Sequence, residues 1–185
     1  MSVSPRPVRI VTDSTADLPS DVAAALGITV VPLLVRFGDE VFRDGIDLGP
    51  AAFMEKLRAA PALPQTSQPP TTAFEEVFAA ATAAGADVVC LTIAARLSGT
   101  YNAARLAAAN VGTDRVRVVD SGTVTMHLGW AAIAASRAAQ AGGDQEAVVA
   151  AAAAALARGR IYAVLDTLDF LHRGGRIGKA SQLFG

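Results

Sequence analysis

Short apolar runs that each stop at a cluster of Asp, Ser and Thr, with helix-like stretches between them, constrain this 185-residue chain most. Val8 to Thr12 stops at Asp13-Ser14-Thr15, and Arg115 to Val119 stops at Asp120-Ser121. Asp87 to Ile93 contains the unbroken run Val88-Val89-Cys90-Leu91, which fits a strand covered on both faces. Between these runs the apolar period is helical. Phe74, Val77, Phe78 and Ala81 stand at i, i+3, i+4 and i+7. Strands alternating with helices predict a three-layer α/β domain with a largely parallel sheet. In such sheets ligands sit beyond the carboxyl ends of the strands.

The remaining elements follow from local signals. Pro19 opens a helix with Val22 and Leu26, and Gly27 closes it. Ile28 to Phe37 is strand-like, and Pro32 puts part of it at an edge or bulge. Gly38-Asp39 turns into Glu40 to Arg43 as a hairpin. Pro50 starts a short helix with Phe53 and Leu57 on one face. Ala60 to Thr72 carries four prolines and is expected as a loop. A helix from Ser98-Gly99-Thr100 to about Asn110 follows the third run. Helices at about Val124 to Gln140 and Gln145 to Arg158 come next, then a last strand, Ile161 to Leu165, and a helical run, Thr167 to His172.

Composition removes several function classes. The chain is 52% hydrophobic and 18% charged, and much of the apolar excess is alanine. The Ala/Val run from Val148 to Leu156 is too short to cross a bilayer. It is flanked by Gln145, Glu146 and Arg158, so it is expected as a buried or half-buried helix. A net charge of −1 leaves no basic stripe for nucleic acid or an anionic membrane. No apolar signal core precedes the first strand, so a cytoplasmic location is expected. Cys90, the single cysteine, excludes a disulfide framework and is expected to be buried and inert.

Four loops carry residues able to do chemistry, and each has a plain structural reading as well. Thr66-Ser67-Gln68-Pro69 is either a stiffened polar turn or a set of neutral hydroxyl donors for an anionic oxygen. Ser98-Gly99-Thr100 reads as a helix N-cap, and the free amides there also attract anions. Gly99 would let a ligand approach the backbone closely. Asp13-Ser14-Thr15 either caps a helix or orients a hydroxyl. It lacks the G-x-G-x-x-G dinucleotide pattern. Arg173-Gly174-Gly175-Arg176 ends a helix, or lets an arginine fold back onto a carboxylate or phosphate. Arg176, past the glycines, is the favoured arginine, and Arg173 is expected exposed on the last helical turn. His127 and His172 form no metal-spaced pair, and G-x-S-x-G is absent. No catalytic residue and no metal ligand is therefore assigned.

Together these stretches resemble the DegV family of bacterial lipid-binding proteins. The matching segments are Val11-Thr12-Asp13-Ser14-Thr15-Ala16-Asp17-Leu18, Val31-Pro32-Leu33 and Phe42-Arg43-Asp44-Gly45. Thr66-Ser67-Gln68-Pro69, Leu97-Ser98-Gly99-Thr100-Tyr101 and Val119-Asp120-Ser121 follow, then Leu168 to Ile177 with its Arg-Gly-Gly-Arg core. The resemblance implies a two-lobed α/β fold holding a long-chain fatty acid, with no further cofactor. It implies that Thr66 and Ser98 hold the carboxylate with Arg176 nearby. Ser67, Gly99 and Thr100 belong to the same loops, and Asp13, Ser14 and Gly175 support them. Some family members resemble the acyl-carrying subunit of a bacterial fatty acid kinase. The implied partner is then a separate kinase that phosphorylates the held carboxylate, and the acyl phosphate feeds phospholipid synthesis.

Family members continue past the position of Gly185. The expected division is therefore an α/β domain over residues 1–160 and the start of a second lobe over 161–185. An apolar patch where that lobe would sit, and weaker lipid binding than in a complete member, are expected with it. The competing readings are a small-molecule transferase or hydrolase using the same anion pocket, and a pure interaction module.

Overall fold

The computed structural model describes residues 6–175. The chain runs through β1 (Val8–Asp13), a 3-10 turn (Ser14–Ala16), α1 (Ser20–Leu26), β2 (Ile28–Val31), β3 (Leu34–Phe37) and β4 (Glu40–Arg43). It continues with α2 (Pro50–Ala59), β5 (Gln65–Ser67), α3 (Thr71–Ala83), β6 (Asp87–Thr92) and α4 (Thr100–Val111). Then come β7 (Val116–Asp120), α5 (Met126–Gln140), α6 (Gln145–Arg158) and the short α7 (Asp169–Arg173).

Four strands make a parallel sheet in the order β2-β1-β6-β7. Side chains alternate across it. Ile10, Val89 and Leu91 meet Leu128, Ala132 and Val148 from α5 and α6 on one face. Val11, Val88 and Cys90 meet Phe74, Phe78 and Ala104 from α3 and α4 on the other. The expected three layers are present. Phe74 and Phe78 are 0% exposed, with ring centroids 5.8 Å apart. Burying each is worth roughly 1.5–3 kcal/mol. The Ala/Val run lies in α6, where Val148 and Ala152 are buried.

A second, antiparallel sheet has the order β4-β3-β5. Its core is small: Val35, Phe37 and Leu48, with Phe42, Phe53 and Leu57 partly buried against them. Here the structure departs from the sequence reading. Ile28 to Phe37 is not one strand, because the chain breaks at Pro32-Leu33. The first half pairs with β1 and the second half with β4 and β5. Proline has no N–H to give a ladder, so pairing ends there and the chain changes sheet. The loop expected over Ala60 to Thr72 contains β5, which sets Thr66 opposite Val35. Three exposed polar residues between prolines carry no strand period.

The strand expected at Ile161–Leu165 does not form. No described strand lies beside this segment, and backbone N–H and C=O groups without a ladder partner turn to solvent. Tyr162 is 89% exposed and Val164 96%.

Candidate functional site

The loops leaving β1, β6 and β7 share one edge of the parallel sheet, and side chains tie them together. Asp13 Oδ2 accepts the Ile93 N–H at 2.8 Å, joining the ends of β1 and β6. Asp13 Oδ1 accepts from the Thr15 N–H at 3.0 Å and the Thr15 hydroxyl at 2.5 Å. Burial raises the Asp13 pKa above the usual carboxylate value, in spite of these donors. Next along, Ser14 Oγ accepts the Leu33 N–H at 3.0 Å. That bond fixes the crossing from β2 to β3 and leaves the serine's own hydrogen to donate. On the far side, Asp120 Oδ1 accepts from the Ala95 and Gly122 amides, both at 3.0 Å.

Two close approaches hold the frame. A Cβ at Gly129 would lie 2.5 Å from the Ala16 carbonyl oxygen, so glycine on α5 lets the turn carrying Ser14 sit against the helix. At Gly99 a Cβ would lie 1.8 Å from Gln68 Oε1. The room left by Gly99 is taken by the Gln68 amide. This contact joins the loop after β5 to the start of α4.

Between the two sheets lies a cavity of about 1220 Å³. Apolar side chains from both sheets line it, among them Ile28, Val30, Val35, Leu48, Phe53 and Ile93. The hydroxyl-bearing Thr66, Ser98 and Ser14 also line it. Asp17 and Asp44 also line it, and no lysine or arginine does among the described residues. Asp17 sits in the left-handed region at φ 51°. Its pKa is raised, first by burial and then by the charges of Asp44 and Asp13. The wall therefore offers neutral hydroxyl donors beside two carboxyl groups.

The candidate residues separate into wall and support. Thr66, Ser98 and Ser14 are on the wall. Thr100 and Asp13 are fully buried behind it. Thr100 Oγ1 lies 2.9 Å from Ser98 Oγ, which also accepts the Thr100 N–H at 3.3 Å. Ser98 is one residue short of a formal N-cap: α4 starts at Thr100, and Gly99 occupies the cap position without a side-chain bond. Ser67 and Gly99 do not line the cavity. Gly175 has φ 69° and donates its N–H to the His172 carbonyl at 2.9 Å, closing α7. Arg173 is exposed in the last turn of α7. Arg176 lies outside the described residues.

His127 does structural work. Its Nδ1 is 2.9 Å from Thr123 Oγ1 and its Nε2 is 3.2 Å from the Leu156 carbonyl. Since a carbonyl only accepts, Nε2 carries a hydrogen. Two features went unread in the sequence. Asp44 joins the cavity because β4 returns it beside Leu33, whose carbonyl accepts the Asp44 N–H at 2.9 Å. Thr125 has φ 57° and ψ −156° at the start of α5, a strained conformation for a β-branched residue. Its neighbour Val124 lines the cavity.

Comparison with known proteins matches residues 7–185 to the profile described as "Uncharacterised protein, DegV family". A DegV domain-containing protein of Deinococcus radiodurans is 42% identical over 178 residues, covering 96% of this chain and 63% of the relative. Among solved structures, a DegV family protein from Thermus thermophilus, described for its fatty acid binding, superposes with a TM-score of 0.86 at 36% identity. That match covers 95% of this chain and 62% of the other. A fatty acid (stearic acid)-binding protein from Eubacterium ventriosum gives 0.85 at 32% identity, covering 94% and 61%. The chain thus spans just under two thirds of the length of these relatives.

Proposed function

The chain belongs to the DegV family, and from that premise we propose that it binds a long-chain fatty acid in the cavity between its two sheets. One observation carries the reading: a mostly apolar cavity lined by hydroxyl residues from three separate parts of the chain, Ser14 after β1, Thr66 in β5 and Ser98 before α4. The similar proteins of Thermus thermophilus and Eubacterium ventriosum, described as binding fatty acids, support it.

The residues divide the task by chemistry. Thr66 and Ser98 donate to the carboxylate, with Ser14 as a further donor. Thr100 donates its hydroxyl hydrogen to Ser98 Oγ, which turns the serine's own hydrogen toward the ligand. Asp13 is a positioning residue that holds Ile93, Thr15 and the turn carrying Ser14. Arg176 supplies the cation that the described wall lacks. Burial of the tail adds about 0.8 kcal/mol per methylene.

The proposal extends to a carrier role in the cytoplasm. The bound acid is presented to a separate kinase, which forms the acyl phosphate, and no catalytic group is assigned to this chain. Residues 1–160 act as one domain, and 161–185 begin a second lobe. The exposed Tyr162 and Val164 fit a surface that such a lobe covers.

Calorimetric titration with a long-chain fatty acid tests the binding step. Saturable binding at one per chain, weakened in Thr66→Ala and Ser98→Ala, is the expected result. Equal affinity in both variants would remove these hydroxyls from the site. For the carrier step, the loaded chain is mixed with ATP and a fatty acid kinase catalytic subunit, and acyl phosphate is expected only when both proteins are present. Acyl phosphate formed by the chain alone would overturn the carrier role.

A further inference from the structure

We infer that the methyl end of the ligand lies between α1 and β2, and that Ala24 determines how long a chain the cavity accepts. The inference rests on the fatty-acid reading above and adds the direction of the ligand and the residue that limits it.

The direction follows from which parts of the wall adjoin the hydroxyls. Val35 is the strand partner of Thr66. Phe53 lines the main cavity and also a neighbouring one of about 1000 Å³, and Thr66 borders both. The side formed by the small sheet is therefore the head-group side. α1 and β2 contribute Ala23, Ala24, Ile28 and Val30 to the apolar wall, which Leu165 and Leu171 also line.

The register places this second side at a distance. Val31 stands level with Asp13, while Ile28 pairs with Ile10, three positions back along the ladder. At about 3.3 Å per residue that is roughly 10 Å below the strand ends. β2 is also separated from β6 by β1, another two strand spacings, or roughly 10 Å. A ligand with its head at Ser98 and its tail beside Ile28 must cover both legs, which requires a long acyl chain.

Ala23 is buried against the sheet, whereas Ala24 is exposed at the rim. A methyl group at the rim leaves the tail room to extend past α1. Each added methylene then gains burial, worth about fourfold in affinity, until the chain leaves the wall. A large side chain at position 24 would act as a stop.

The test compares the affinities of stearate and decanoate, measured by calorimetry on the 185-residue chain, for the wild type, Ala24→Phe, Ala24→Leu and Thr66→Ala. Because residue 24 is an exposed helical position, both replacements fit without entering the core, and circular dichroism verifies the fold. The stearate-to-decanoate affinity ratio should fall about tenfold or more in Ala24→Phe and by less in Ala24→Leu. It should be preserved in Thr66→Ala, which weakens both acids alike. An unchanged ratio in both Ala24 variants overturns the assignment of the tail while leaving fatty-acid binding intact. A wild-type chain that binds neither acid overturns the fatty-acid reading and this inference with it.

Discussion

The two sheets of this protein differ in how firmly they are held. The parallel sheet is covered on both faces, and Phe74, Phe78, Leu91 and Leu128 are all 0% exposed. The antiparallel sheet has a three-residue core, and α2, which lies against it, has no buried residue. That helix is held by the Phe37–Phe53 ring pair at 5.8 Å and the Lys56–Glu40 ion pair at 2.7 Å, with the Lys56 ammonium 5.0 Å from the Phe42 ring centre. The cavity lies at the junction. One wall is rigid and carries Ser14 and Ser98, and the other is lightly held and carries Thr66. Such an arrangement sets a firm wall beside Ser14 and Ser98 and leaves the small sheet, with Thr66, freer to adjust.

The sharpest way to break this contrast is to remove one aromatic from each side. Phe78→Ala should cost about 3–5 kcal/mol in a urea melt, and Phe53→Ala, half-buried, less than half of that. Similar losses would mean that the small sheet is as tightly integrated as the large one.

Next in size are the hydroxyl residues that line the cavity from the small sheet and from the loop before α4, Thr66 and Ser98. Hydrogen bonds to a charged group are worth about 1.5–3 kcal/mol, so Thr66→Ala and Ser98→Ala should each weaken fatty-acid binding by about 10–100-fold. Binding calorimetry measures this, with thermal melts as the folding control.

Asp13→Asn tests the firm wall. Its amide cannot accept from both Ile93 and Thr15, and a buried donor left unpaired costs about 1–3 kcal/mol. The deficit should depend on pH. The Asp13 pKa is raised in the folded state, so its stabilising contribution is complete below the usual 3.8 and is lost as pH rises through the folded value. The variant lacks this titration, and the difference in urea midpoints should narrow as pH rises.

Thr125→Gly should stabilise the protein by about 1 kcal/mol, by relieving the positive φ at the start of α5. A loss of stability would show that side-chain contacts of Thr125 outweigh the strain.

Asp47→Asn, in the turn after β4, should have the least effect. Arg43 holds the Asp47 carboxyl at about 2 through hydrogen bonds to an exposed pair. Its contribution is present above the usual 3.8 and lost as pH falls through about 2. The effect on the melting temperature should be just detectable at low salt and vanish at high salt.

The same contrast explains what could be read from the sequence. The large sheet announces itself because continuous apolar runs and a 3.6-residue period leave few alternatives, and Val88 to Leu91 with Phe74 and Phe78 are examples. Ser14 was legible because it follows β1 directly, and Ser98 because it stands just before the start of α4. Thr66 was legible as part of a hydroxyl cluster, but not as a strand residue. β5 is polar and flanked by prolines, so only its pairing with Val35 reveals it. The change of sheet at Pro32 and the return of Asp44 beside Leu33 are long-range events, with no local pattern to signal them. Gly99 showed that room was needed at the start of α4. The sequence did not show that Gln68 is what fills that room.

Native mass spectrometry of the purified chain, incubated with a long-chain fatty acid and then extracted for lipid identification, tests the central claim most directly. The account predicts one fatty acid per wild-type chain, largely absent from the Thr66→Ala/Ser98→Ala double variant. A wild-type chain that stays empty, or a double variant that carries as much lipid as the wild type, would contradict it.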